Sequence, residues 1–383
     1  MGPRRWPSPR PAPRAGGGRE DPRRGYVGAP DGAPVLDCGR AELLPGLIDC
    51  HSHLCWDPPA DPLDQFAGDD DQALLERARQ AAGRALAAGI TTVRDLGDRG
   101  YAAVRLRREL ASTPGAGPEI LAAGPPLTPT KGHCWFLGGE AQGPEALTAA
   151  VDERARRGVD VVKVMATGGL LTPGSGVHVS QYTRADLQVI ADRAHARGLP
   201  VVAHAHGGGG IADALHAGFD GIEHCTFING DSIACDWATV NELAASGVVV
   251  SAAEARLPEE PLSPVMAPLL PKLLANWVEM FRRGVRLAIS SDAEITRARP
   301  HDVLPHGAVC FAGLGMTNAE VLRAVTETPA TACGLAARKG RLAKGYDADL
   351  VAVEGDPLVD ITALLRPVSV IRAGEPVSRD LDR

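Results

Sequence analysis

The feature that most constrains this chain is a rhythm. Between residues 43 and 336, eight short apolar stretches alternate with longer stretches of helical pattern. The apolar stretches lie at 43–53, 90–95, 120–123, 159–166, 200–206, 221–225, 248–252 and 286–291. Helices are read up to residue 88 and over 101–110, 144–157, 185–197, 211–217, 237–245 and 268–283, with 318–327 and 330–336 completing the series. Strands that must cross over a helix before meeting the next strand pair in parallel, with right-handed connections. Eight such units predict an α/β chain folded as a closed (β/α)8 TIM barrel rather than an open sheet.

Outside this rhythm the composition changes. In residues 1–34, eight proline, seven glycine and seven arginine residues fill 22 of the 34 positions. Too little apolar surface remains there to offset the ordering entropy, so the tract is read as a disordered extension. Residues 35–43 read as the remnant of a small β domain, 44–336 as the barrel, and 337–383 as the C-terminal part of that β domain. The segment after the first strand is acidic, proline-rich and read as a loop through Asp71. The glycine tract 207–210 lacks the Gly-x-Gly-x-x-Gly order and a following acidic residue, so it is not read as a phosphate loop.

Composition excludes several function classes. The 383 residues carry a formal net charge of −7, which argues against nucleic acid or an anionic membrane as the main partner. No run of about 18 apolar residues offers a transmembrane helix, and no apolar segment follows Arg4-Arg5 to make a signal peptide. A cytoplasmic location is expected. The eight cysteines show no repeated spacing and are read as reduced thiols. Cys50 and Cys55 flank two histidines, but no second Cys/His cluster follows to complete a zinc knuckle. The expected partner is a small-molecule substrate, and assembly into a homo-oligomer is left open.

Barrel enzymes carry their chemistry at the C-terminal ends of the strands. The first strand ends in His51-Ser52-His53, whose alternate side chains share one face and could offer two imidazoles to one metal ion. The fourth holds Lys163 between valines, where an ammonium must be neutralised, modified or salt-bridged. The fifth ends in His204-Ala205-His206, the sixth in Glu223-His224 and the eighth in Ser290-Ser291-Asp292. No member is specific alone, but the set at one end of the strands is.

These residues carry a resemblance. Leu44-Pro45-Gly46-Leu47-Ile48-Asp49-Cys50-His51-Ser52-His53, Val162-Lys163-Val164-Met165-Ala166-Thr167-Gly168-Gly169 and Ala203-His204-Ala205-His206-Gly207 resemble motifs of the amidohydrolase superfamily of metal-dependent hydrolases. Gly221-Ile222-Glu223-His224, Ser291-Asp292 and Gly345-Tyr346-Asp347-Ala348-Asp349-Leu350 extend the likeness over about residues 36–377. The nearest branch is the prolidase-like group of Xaa-Pro and Xaa-Arg/Lys dipeptidases, which is also similar to ochratoxin-degrading amidases. The resemblance implies a binuclear centre of two divalent ions, expected to be Zn2+. His51 and His53 would bind the more buried ion and His204 and His224 the second, with a CO2-carboxylated Lys163 bridging them. Asp292 would touch the first ion and shuttle a proton between a hydroxide shared by the metals and the leaving nitrogen of an amide. His133 and His206 would act in catalysis and substrate or oxyanion binding, and Tyr182 would hold a substrate carboxylate. The implied reaction is hydrolysis of a dipeptide or N-acyl amino acid.

The chain departs from the family in two places. Only Val35-Leu36-Asp37-Cys38 remains of the N-terminal strands that usually complete a β-sandwich appendage, and Ser290-Ser291-Asp292 replaces the more usual Gly-Thr-Asp. Two other readings compete: a mononuclear imidazolonepropionase-like enzyme or deaminase, against which Lys163 argues, and an inactive scaffold of the same fold. His178, His195 and His216 are read as structural or solvent-facing, and His301 and His306 as ordinary loop residues.

Overall fold

The computed structural model describes residues 36–57, 61–262 and 264–377. The tract 1–34, expected to be disordered, lies outside the described residues. The chain enters as β1 (Glu42–Pro45) and, across Gly46 alone, continues as β2 (Leu47–Ser52). Then come α1 (Pro62–Gly68), α2 (Asp71–Ala87), β3 (Ile90–Asp95), α3 (Ala102–Leu110), β4 (Glu119–Ala122) and α4 (Pro144–Arg157). The middle of the chain gives β5 (Val162–Met165), α5 (Arg184–Ala196), β6 (Val201–Ala205), α6 (Gly208–His216) and β7 (Gly221–His224). A hairpin of β8 (Ile228–Asn229) and β9 (Ser232–Ile233) precedes α7 (Trp237–Ser246), β10 (Val249–Ala253), α8 (Leu270–Arg282) and β11 (Arg286–Ser290). Helices α9 (Leu304–Gly313), α10 (Asn318–Ala324) and α11 (Glu327–Ala332) lead to β12 (Leu350–Val353), β13 (Pro367–Arg372) and β14 (Glu375–Pro376).

Eight strands lie parallel in two sheets, β2-β3-β4 and β5-β6-β7-β10-β11. The sheets meet at both edges. Beyond β4, the Leu127 amide donates to the Lys163 carbonyl and the Met165 amide to the Leu127 carbonyl, both at 2.8 Å. Beyond β11, the Asp292 amide donates to the His51 carbonyl at 2.8 Å. Helices cover the strands with apolar faces. Helix α2 turns Leu74, Leu75, Ala78, Ala82, Ala85 and Leu86 inward at helical spacing, and Asp70 caps its first turn. Truncating a leucine as buried as Leu86 would cost about 2–5 kcal/mol.

A third, antiparallel sheet has the order β1-β12-β13-β14, with Leu44 opposite Val351. An ionic cluster ties it to β4. Buried Lys339 contacts Asp349 and stands 3.1 Å from Glu119, while Arg338 bonds both Glu119 and Asp347.

Several local readings need correction. The segment read as a loop through Asp71 contains α1, because Asp61 caps it and Pro62 occupies the first turn, where a missing N–H costs nothing. Helix α9 was not expected from a stretch holding Pro305, Gly307 and Gly313. Pro305 again sits in the first turn, and a Cβ on Gly307 would stand 2.9 Å from Ala255. Helix α6 starts at Gly208, so the glycine tract is its cap and first turn. A side chain on Gly207 would overlap the His178 carbonyl and one on Gly210 would overlap Thr167, so close packing demands these glycines. The last helix of the series is Glu327–Ala332 rather than 330–336.

Candidate metal centre

The side chains singled out at the strand ends converge on one cavity of about 520 Å3. His51, His53, Lys163, His204, His206, His224, Asp292 and His133 all line it. They form two groups whose ligand atoms lie within 4.8 Å of one another, His51–His53–Asp292 and His204–His206–His224. In the first, Asp292 Oδ1 stands 3.3 Å from His51 Nε2 and 3.1 Å from His53 Nε2. In the second, the three ring centroids are 4.5–4.6 Å apart. The groups adjoin through His51 and His224, whose ring centroids are 4.9 Å apart. Lys163 is 1 % exposed, and its Nζ stands 3.3 Å from His51 Nε2.

Backbone geometry aims two of these residues. His224 and Asp292 have φ of 67° and 51°, a left-handed conformation that is uncommon outside glycine and clusters at functional sites. The turn brings each side chain over the ends of the strands. Trp277 from α8 locks one turn by donating its indole N–H to the His224 carbonyl at 2.8 Å.

Oxygen partners orient the imidazoles. His53 Nδ1 lies 3.2 Å from the Gly97 carbonyl, His204 Nε2 3.1 Å from the Gly168 carbonyl, and His206 Nδ1 2.9 Å from Thr226 Oγ1. Each leaves its opposite nitrogen free to bind. His51 Nδ1 instead faces the carboxylate of Glu223 at 2.9 Å. Burial lowers the pKa of His51 and of His206 to about 4, and the cationic neighbour Lys163 adds to both shifts. Burial and neighbouring histidines push His204 and His224 well below the usual range. These rings are neutral near pH 7, the state that a metal ion requires. Burial also lowers the pKa of Lys163. Asp292 is buried, which opposes ionisation, yet the histidines and Arg299 around it hold its carboxyl well below the usual carboxylate range.

His133 is buried beside the second group, its ring 4.8 Å from that of His204 and its Nδ1 3.1 Å from Thr172 Oγ1. Tyr182 is not brought to the cavity: its hydroxyl donates to the Ala141 carbonyl at 2.8 Å. His195 contacts Asp220 and His216 contacts Glu242, while His178 is exposed. His301 is buried behind the first strand, 3.4 Å from Ser52 Oγ, and His306 lies half-buried in α9. Cys50 and Cys55 are buried thiols that join no group of candidate ligands among the described residues.

Sequence reasoning missed three neighbours of the centre. Arg299 reaches Asp292 Oδ2 at 3.4 Å and Glu254 at 3.1 Å, and Arg94 reaches Glu223 at 2.9 Å. Arg94 and Glu223 interrupt apolar strands as Lys163 does, and that signal was available. Arg299 lies in a loop without pattern.

Parallel strands ringed by helices, with clustered histidines, a buried lysine and an aspartate at one end of the strands, define a metal-dependent hydrolase. The chain belongs to the Amidohydrolase family, which it matches over residues 43–377, and is an enzyme acting on carbon–nitrogen bonds. It is similar to the ochratoxinase of Aspergillus niger, 28% identical, with 86% of this chain and 73% of that protein covered. A solved Xaa-Pro dipeptidase with bound methionine is 27% identical, with a TM-score of 0.79, covering 92% of this chain and 90% of the other. The imidazolonepropionase of Pseudomonas entomophila is 26% identical over 90% of this chain and 88% of that one. No helix among the described residues is long and apolar enough to cross a membrane.

Proposed function

We propose that this chain is a binuclear metal-dependent amidohydrolase that cleaves the amide bond of a dipeptide or N-acyl amino acid. The observation that carries the reading is the pair of adjoining ligand groups beside a fully buried lysine. The residues fit two divalent ions: imidazoles and one carboxylate point into a shared space, and Lys163 sits there with no carboxylate in hydrogen-bond range among the described residues. Imidazole and carboxylate donors suit zinc. His51, His53 and Asp292 would hold one ion, and His204 and His224 the other. Burial lowers the pKa of Lys163, and addition of its amine to CO2 with loss of a proton would give that side chain an anionic oxygen donor for the ions. Two divalent ions held there would supply the Lewis acidity that activates water and polarises an amide carbonyl.

The protein's own groups do the rest. Asp292 Oδ1, placed between two imidazoles, accepts the proton of the attacking water and returns it to the leaving nitrogen. Arg299 steadies the other Asp292 oxygen. His206 and His133 face the same space and suit binding of the substrate carbonyl and its developing charge. Leu262, Met266, Leu270 and Leu273 give the outer cavity an apolar wall, while Arg256 and Arg297 offer charge to a substrate carboxylate. That combination suits an amide with a large apolar group and a free carboxylate.

The eight parallel strands are read as one closed (β/α)8 barrel over 44–336, supported by the hydrogen bonds at both seams. Residues 35–43 and 337–383 are read as its small β domain, supported by the pairing of β1 with β12. Eight free thiols suit a reducing, cytoplasmic setting.

Metal analysis with a dipeptide and N-acyl amino acid library tests the function. Two zinc ions per chain and zinc-dependent hydrolysis are expected, and full activity in metal-free protein would overturn it. Similarity to imidazolonepropionase favours a mononuclear ring-opening enzyme as the second reading. One ion per chain and turnover of a cyclic substrate would support that reading instead.

A further inference from the structure

Beneath the candidate centre a charged chain crosses three strands. Arg94, on β3, is 2 % exposed and spends all its nitrogens on fixed partners. Its Nε donates to the Cys50 carbonyl at 2.6 Å, Nη1 to the Ala332 carbonyl at 2.8 Å, and Nη2 to Glu223 Oε1 at 2.9 Å. Cys50 is the residue before His51, and Ala332 ends α11. Glu223, on β7 and 1 % exposed, brings its second oxygen to 2.9 Å from His51 Nδ1, an ion-pair contact between two buried atoms that have no other hydrogen-bond partner among the described residues. The opposite nitrogen of His51 faces Asp292 and Lys163.

We propose that Arg94, acting through Glu223, is a positioning residue that fixes His51 in the Nδ1-protonated tautomer and makes His51–His53–Asp292 the tighter of the two metal sites. The proposal rests on the metal-binding reading above.

The contrast with the other imidazoles carries the argument. His53, His204 and His206 lean on neutral oxygens, two carbonyls and a hydroxyl. Only His51 among these four leans on a carboxylate. An anionic partner behind an imidazole raises the basicity of its far nitrogen and fixes its orientation, and loss of such a partner weakens metal binding about 10- to 100-fold. A carboxylate as buried as Glu223 needs a compensating cation, and Arg94 is the guanidinium bonded to it. By gripping the Cys50 carbonyl as well, Arg94 ties the charge on β7 to the backbone of the strand that carries His51. A purely structural ion pair would require no third group, yet the second oxygen of Glu223 is directed at a ligand.

The test is stepwise titration of metal-free protein with Zn2+ against a competing chelator, repeated with Co2+ to record the visible spectrum of the singly loaded form. In Glu223→Gln, which keeps size but not charge, the first ion should bind about 10- to 100-fold more weakly. The second ion should bind as before, and the Co2+ spectrum of the first site should change. Arg94→Lys should fall between wild type and Glu223→Gln, since it restores charge without the three-way grip. Thermal melting of the metal-free forms separates these effects from loss of fold. If Arg94→Lys does not fold, Glu223→Gln decides alone. First-ion affinity and spectrum unchanged in a folded Glu223→Gln would overturn the relay. Wild type that takes up no ion would overturn the metallohydrolase reading itself, before any variant is compared.

Discussion

Lys163 Nζ lies 3.3 Å from His51 Nε2, and both side chains are sealed from solvent. Burial disfavours the charged form of each, and the charge of Lys163 further lowers the affinity of His51 for a proton. Such a neighbour is poor company for a permanent cation and suitable for a lysine that gives up its charge. Lys163→Ala should lose the second metal ion, and with it several kcal/mol of transition-state stabilisation. Turnover should then fall by about 10^3-fold or more. Metal content and turnover check this together, and retained activity with one ion would favour the mononuclear reading.

Removing metal should loosen the fold as well as silence it. The two clusters of imidazoles with one aspartate exist as ordered ligand sets in the folded chain and not in the unfolded one. Zinc at about 100 times its dissociation constant therefore stabilises by about 2.7 kcal/mol per site. Melting curves with chelator and with restored zinc should differ by several degrees, and activity should return with the ion.

Gly169 guards the position of His133. A Cβ at Gly169 would overlap the His133 ring, whose other nitrogen is held by Thr172. Gly169→Ala should displace that imidazole and cut turnover by about 10^2-fold, the cost of a misplacement near 1 Å. Folding should be almost untouched. Steady-state kinetics beside thermal melting read the split.

Acid should weaken the joint between β4 and the antiparallel sheet. Burial opposes ionisation of Glu119, but its hydrogen bond to Arg338 and the charge of Lys339 outweigh it and hold its pKa at about 2, against 4.5 for the free side chain. The contribution is present in full above pH 4.5 and is lost as pH falls toward 2. It amounts to about 3 kcal/mol at most. Chemical denaturation at pH 5 and pH 3 should show a smaller stability difference in Glu119→Gln than in wild type.

The legible part of this protein is the part governed by period. His51 and His53 share a face because strands alternate, and Lys163, His204, His224 and Asp292 reach the same cavity because parallel strands present their C-terminal ends together. The hairpin Ile228–Ile233 is readable from its two-residue Gly230-Asp231 loop, a signal that the helix-and-strand rhythm leaves out. Helix α9 was not legible, because Pro305 and two glycines mask a helix that tertiary packing stabilises. Trp277 acts through a contact with His224, far away in the chain, and Arg299 reaches Asp292 through the conformation of the loop after β11, and neither is encoded by a local pattern. The environment of Tyr182 depends in the same way on a loop conformation.

The seam between β2 and the residue after β11 has a consequence for how the protein is made. The His51 carbonyl waits for the Asp292 amide, and Leu44 waits for Val351. At about 5–20 residues per second, the roughly 240 residues between His51 and Asp292 occupy a ribosome for about 10–50 s. Throughout that interval the first strand to emerge has one unsatisfied edge and an apolar sequence. Its histidines leave the exit tunnel long before the aspartate that completes their group. Premature metal capture and edge pairing between nascent chains are the hazards of that order, and slow synthesis or scarce chaperones should lower the yield of active enzyme more than any change at the cavity mouth.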